Sequence, residues 1–355
     1  MAPKRRLAGS QPDEQMTKRA KSSATPSRPA TPSRSVTPAD TSPKMPFKVE
    51  YPPSSTGRTL TQAQRDLIRF AEFQVSPFKA KGAKKEGEMD QSYLVTPHKE
   101  WESMKKYSNF IIEGETYKNV DTVFVRGEGT PKDNNTEGKP KDFWVARVLE
   151  VRAKNAQHVY ALVTWLYWPE ELPPPATKSA DQVNRESGKR TYHGRNEVVA
   201  SNYMEVLDVL SFAGKAEITQ WLEEDDAPQS SLYWRQTYNR STRELSALKK
   251  RCLCGGHENP DVPMMICDNS QCKTYFHINH LEDAVAKVIY EREIDDKPTK
   301  GKGKAPWKRF FSVVVDEPPN DHPKAVVKSL QADKKNWEER LKCPICDHPF
   351  EQASP

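Results

Sequence analysis

No apolar stretch in the 355-residue chain approaches the roughly 20 residues that a membrane-spanning helix requires. The basic start, MAPKRRLAGS, has no hydrophobic segment behind it, which argues against a secretory signal. Apolar residues are few, at 35%, against 29% charged residues and 29 prolines, so much of the chain is expected not to pack. Residues 1–45 contain no aromatic residue and no isoleucine. Such a segment cannot offset its ordering entropy and is expected to be disordered. No phosphate-binding loop and no nucleophile–base constellation stands out, which leaves catalysis little support. Disulfides are not expected of six cysteines in an intracellular protein; metal is.

The formal charge of +6 is unevenly placed. Residues 1–45 hold nine Lys/Arg and three acids, which is the whole surplus, and the other 310 residues balance at 46 of each sign. A neutral body argues against a protein whose main task is gripping phosphate backbone. KRR at 4–6 and KRAK at 18–21 match a bipartite nuclear import signal, so a nuclear location is expected. ATPSRPATPSRSVTP (24–38) repeats a Thr-Pro pattern, and Thr25, Thr31, Thr37 and Ser42 are candidate phosphorylation sites that would offset the positive charge.

Residues 46–108 read as a partly ordered arm, with helical spacing in QAQRDLIRFAEF (62–73). From 109 to 245 the runs VDTVFVR (120–126), FWVARVLEVR (143–152), HVYALVTWLYW (158–168) and NEVVASNYMEVLDVL (196–210) are β-branched and aromatic. Each is bounded by turn residues, and no long helical pattern separates them. An antiparallel, barrel-like β domain is expected.

The cysteines lie beyond it. Cys252, Cys254, Cys267, Cys272, Cys343 and Cys346, joined by His277 and His280, make eight ligands and so two tetrahedral zinc sites. A region so poor in apolar residues needs such metal to fold, since structural zinc supplies on the order of 10–16 kcal/mol of apparent binding energy. The order and spacing resemble a PHD finger over 250–350, including Asp268 after the third ligand and Tyr275-Phe276 before the first histidine. That resemblance implies a cross-brace: Cys252, Cys254, His277 and His280 on one zinc, and Cys267, Cys272, Cys343 and Cys346 on the other. His280 stands where the family usually has cysteine. Arg251 precedes the first ligand, where methyl-lysine-reading fingers often place an aromatic, so a weak reader, a non-methyl reader or a scaffold is expected. A 62-residue insertion (281–342) separates the sixth and seventh ligands. Within it LEDAVAKVIYE (281–291) and KSLQADKKNWEERLK (328–342) read as helices, and FFSVVV (310–315) as a segment that adds a strand or packs against the finger.

WLYWPEE (165–171) crowds Trp165, Tyr167 and Trp168 together. Side chains alternate faces along a strand, so Trp165 and Tyr167 point one way, Leu166 and Trp168 the other. The rings could fill a barrel core or be kept for a ligand. FWVARVLEV (143–151), WLYWPEE, HGRNEVVASNY (193–203) and YWRQTYN (233–239) resemble a BAH domain, and the BAH-then-PHD order is similar to plant short-life/early-bolting readers and a fungal effector of Polycomb repression. In the family's Polycomb-mark readers three aromatics enclose trimethyl-lysine, and their positions fall on Trp144, Trp165 and Tyr167. By the same resemblance His193, Glu197 and Asn202 would hold the peptide. The resemblance implies a non-enzymatic reader of trimethylated lysine 27 of histone H3 that mediates repression, with nucleosomes as partners. The alternatives are a RING-like ubiquitin ligase and a DNA or nucleosome scaffold. As a scaffold the chain would touch phosphate through the lysines of 297–309; in a reader they could add a weak, salt-sensitive DNA contact, with 294–306 dispensable for folding, zinc retention and peptide binding.

Overall fold

Alternating β-branched and aromatic residues build most of the structured chain, because they pack well on a pleated surface buried on both sides. The computed structural model describes residues 45–53, 60–74, 78, 89–127, 129–131, 135–174, 188–222, 231–262, 264–294, 305–318, 321–331 and 335–351. The expected disorder, import signal and Thr-Pro sites of 1–44 lie outside these residues, as do the lysines of 297–304.

The arm contributes β1 (Lys48–Glu50), α1 (Gln62–Phe70), β2 (Glu72–Gln74), β3 (Gln91–Thr96) and α2 (His98–Ser103). Thr61 caps α1 in a reciprocal capping box with Gln64, satisfying two otherwise orphaned backbone donors. β1 and β2 pair antiparallel with β3 on either side.

Next come β4 (Lys105–Tyr107), β5 (Asn109–Ile112), β6 (Glu115–Lys118), β7 (Thr122–Val125), β8 (Trp144–Asn155), β9 (His158–Tyr167) and β10 (Glu197–Asp208). After them run β11 (Phe212–Lys215), β12 (Ile218–Gln220), β13 (Leu232–Asn239) and β14 (Glu244–Leu245). The main sheet runs in the order β11-β7-β8-β9-β10-β13-β12, with β4 on β8 and β14 on β13. It is mostly antiparallel as expected, but β13 lies parallel to both β10 and β12.

β9 shows why both faces are apolar. Val159, Ala161, Val163, Trp165 and Tyr167 face one core with Val148, Val199 and Phe212. Leu166 and Trp168 face a second core with Phe143 and Trp234. Tyr160 and Leu162 meet the arm's Phe47, Tyr93, Val95 and Trp101. Phe47 alone, 8% exposed between Trp101 and Tyr160, is worth about 1.5–3 kcal/mol by burial. The arm is therefore a structural side of the sheet.

The C-terminal region holds β15 (Met264–Ile266), β16 (Tyr275–His277), α3 (Ile278–Glu293), β17 (Phe311–Asp316), β18 (Lys324–Ser329) and β19 (Asn336–Arg340). The strand allowed for at 310–315 and the helix expected at 281–291 are both present. The helix expected at 328–342 is not: that stretch holds the end of β18 and all of β19, which pair antiparallel. In Asn336–Arg340 exposed and half-buried residues alternate, and the Trp337 indole donates to Glu339 two residues on at 2.7 Å. That contact joins same-face neighbours in a strand, whereas positions i and i+2 of a helix do not face each other. Strong helix formers such as Glu and Arg yield here to the pairing partner. The insertion also supplies the finger's core: Leu281, Ile289, Phe311, Val327 and Leu341 pack with Phe276 and Phe350.

Candidate functional site

Register decides how the sheet gathers its aromatics. Val145 lies opposite Leu166 and Ala146 opposite Trp165. One further step of this antiparallel register sets Trp144 opposite Tyr167, on the same face and diagonal to Trp165. The Trp144 and Trp165 rings stand 5.8 Å apart at 88°. Tyr167 in turn meets Tyr238 edge-on at 6.2 Å. Trp165 and Tyr167 are buried, and Trp144 is half-buried at the start of its strand.

Three features that sequence reasoning missed hold these rings. Gly127 passes so close to Trp144 that a Cβ there would sit 2.8 Å from the indole. Glu205 accepts the Trp165 indole N–H at 3.0 Å. A signal for Glu205 was present: Tyr203 and Leu207, its same-face neighbours on β10, both pack on the apolar core. Third, the β9–β10 register shifts between Ala200 and Met204, leaving Ser201–Tyr203 as a bulge opposite Trp165. The Ser201 hydroxyl donates to the Trp165 carbonyl at 2.8 Å, and the Thr164 hydroxyl to the Ser201 carbonyl at 2.7 Å. From the arm, Tyr51 accepts the Met204 N–H at 2.7 Å, and Arg240 stacks 3.5 Å from the Tyr51 ring centroid.

The expected groove residues separate. His193 and Glu197 are buried with internal partners. Glu197 pairs with Arg235 at 3.0 Å and accepts the Gly194 N–H at 2.9 Å. His193 contacts Gln236 at 3.0 Å and accepts from the Arg190 N–H at 3.1 Å. Burial pushes the His193 imidazole down to about 3, with Arg235, Arg190 and Lys189 adding to the shift, so it is neutral and structural at ordinary pH. Together the two residues pin the turn ahead of β10. Asn202 differs. Its Oδ1 accepts the Arg240 N–H at 2.8 Å, while its buried Nδ2 has no partner.

The cysteines and two histidines fall into the two expected groups, each with its ligand atoms within 4.8 Å of one another. In the first, His277 Nδ1 and His280 Nδ1 are 3.2 Å apart, Cys252 Sγ is 3.4 Å from His280 Nδ1, and Cys254 Sγ is 3.8 Å from His277 Nδ1. In the second, Cys267 and Cys346 sulfurs are 3.6 Å apart, and Cys272 and Cys343 sulfurs 3.8 Å. Bonds of about 2.3 Å to sulfur and 2.0–2.1 Å to nitrogen give tetrahedral edges of about 3.8 Å between sulfurs and about 3.3–3.4 Å between nitrogens. The donor sets fit, and each group could hold a zinc ion. His277 Nε2 contacts the His257 carbonyl at 3.0 Å, which fixes the tautomer and leaves Nδ1 as the ligand. Largely buried, Arg251 lies 4.6 Å from the Tyr275 ring centroid, so the chain's own cation covers the aromatic face a methyl-lysine would need.

The chain is similar over 167 residues to the chromatin remodeling protein SHL of Arabidopsis thaliana, at 25% identity, covering 45% of this chain and 65% of that protein. It is also similar to the chromatin remodeling protein EBS of the same plant, 24% identical over 171 residues, covering 47% and 66%. Both relatives are chromatin proteins. The chain spans just under two thirds of the length of each. No protein-family profile matches it. Among solved structures, the yeast Rsc2 BAH domain aligns over 41% of this chain and 56% of its own, with a TM-score of 0.26 and 16% identity.

Proposed function

We propose that the chain is a nuclear, non-enzymatic chromatin reader that admits trimethyl-lysine of histone H3, foremost lysine 27, among Trp144, Trp165 and Tyr167, and thereby mediates repression. The observation that carries this is the perpendicular pair Trp144 and Trp165 at 5.8 Å, on the same face of the sheet as Tyr167. A quaternary ammonium donates no hydrogen bond and is held by π faces, each contributing about 0.5–2 kcal/mol and most when desolvated. Glu205, fixed against Trp165, adds a nearby negative charge. Asn202 offers its free amide N–H to a carbonyl of the bound peptide. Because Trp165 and Tyr167 are buried, entry requires an opening of the site, and affinity is lowered by the fraction of time it stays closed. The relatives' names support the chromatin setting. Two zinc ions, one per ligand group, hold the finger, which serves as a docked scaffold.

Calorimetry with H3 peptides differing only in methylation at lysine 27 tests the reading. The trimethylated peptide is expected to bind at least about tenfold more tightly than the unmethylated one. Equal affinities would contradict the proposal.

A further inference from the structure

A third ligand cluster lies outside the aromatics and the finger. His98 and Glu102 sit four residues apart on α2, hence on one face of the helix. Glu72 arrives from β2, whose partner in register is Tyr93 on β3. The Tyr93 hydroxyl donates to Glu72 Oε2 at 3.1 Å and orients the carboxylate. One ligand atom from each of Glu72, His98 and Glu102 lies within 4.8 Å of the others. Among the described residues no hydrogen bond or ion pair joins His98 to either carboxylate, and its buried Nδ1 has no partner. The three groups thus converge without being paired to one another.

We propose that Glu72, His98 and Glu102 form a third divalent-cation site that clamps β2 of the arm onto α2. One imidazole and two carboxylates suit zinc or a neighbouring first-row cation. The local charge agrees. Arg152 pairs with Glu102 and Glu150, and Lys106 with Glu150, whereas no ion pair among the described residues reaches Glu72, whose charge is left for the cation to offset. Arg152 engages one oxygen of Glu102, which leaves the other available. Glu102 is also 44% exposed, so the cation has a path from solvent.

The test starts from the full chain carrying its two tightly held zinc ions, dialysed and then titrated with zinc chloride in a calorimeter. A third, weaker equivalent is expected, and adding it should slow amide exchange in 72–74 and 98–103. His98→Ala and Glu72→Gln should each weaken that equivalent by roughly 100-fold, since loss of mere outer-shell partners already costs about 10–100-fold. Both variants should retain the first two ions. Glu72→Gln keeps an acceptor for Tyr93 and carries the test if His98→Ala fails to fold. Absence of a third equivalent, or a third equivalent unchanged in Glu72→Gln, would overturn the site. Unchanged amide exchange would overturn the clamp.

Discussion

Single buried polar contacts decide how the aromatic face is held. The Trp165 indole N–H donates to Glu205 inside an otherwise apolar neighbourhood. Glu205→Leu removes that acceptor and is expected to cost about 1–3 kcal/mol in a denaturant melt, whereas Glu205→Gln, which keeps an acceptor, should cost less. His193 gives a pH signature. Its folded value, about 3, lies below its ordinary 6.5, so the unfolded chain takes up a proton that the folded one refuses. The stability it contributes is complete above pH 6.5 and is lost as pH falls from there towards about 3, by up to about 1.4 kcal/mol per pH unit. His193→Gln should flatten that part of the stability–pH curve, and an unchanged slope would contradict the assignment. None of this was legible in the linear order. HGRNEVV marks a polar turn, but only the parallel pairing of β10 with β13 brings Arg235 and Gln236 to Glu197 and His193.

Elements were legible where local preference and final environment agree. The runs forming β7 to β10 are β-branched, and the structure buries both their faces. The opposite faces of Trp165 and Trp168 follow from strand alternation alone, and the structure seats them in separate cores. What alternation cannot supply is register, so the meeting of Trp144 with Trp165 became visible only with the pairing of β8 and β9. β19 marks the other limit: five residues with one aromatic and three charges carry helix-forming composition, and only β18 beside them makes a strand. The ligand types and their number in the finger were legible because metal chemistry restricts which residues can serve, whereas their division into two groups of four followed from the resemblance to a PHD finger. His280→Ala is accordingly expected to lose one of two zinc ions by elemental analysis, with local unfolding around 252–257, while His280→Cys retains both. Full zinc content in the alanine variant would remove His280 from the ligand set.

At the scale of the whole molecule, the finger is seated on the sheet through the same turn that carries His193. Asn259 donates to the Thr191 carbonyl at 2.8 Å, the Arg195 N–H donates to Asp261 at 2.6 Å, and the rings of Tyr192 and His257 meet at 4.7 Å. His257 in turn accepts from the ligand His277. Stripping zinc with a chelator is therefore expected to lower the melting temperature read by tryptophan fluorescence, although six of the eight tryptophans lie before the finger. A fluorescence melt that ignores chelation would show the two regions to be energetically independent. The proposed recognition of trimethyl-lysine, however, rests on the aromatics. Trp165 is fully buried, and its truncation would cost about 3–5 kcal/mol of stability, confusing folding with binding. Half-buried Trp144 gives the cleaner measurement: calorimetric titration of Trp144→Ala and the unaltered chain with H3 peptide trimethylated at lysine 27. With the thermal melt preserved, the variant should bind at least about tenfold more weakly, the loss of one cation–π wall. Equal affinity for the two proteins would mean that these rings are only core.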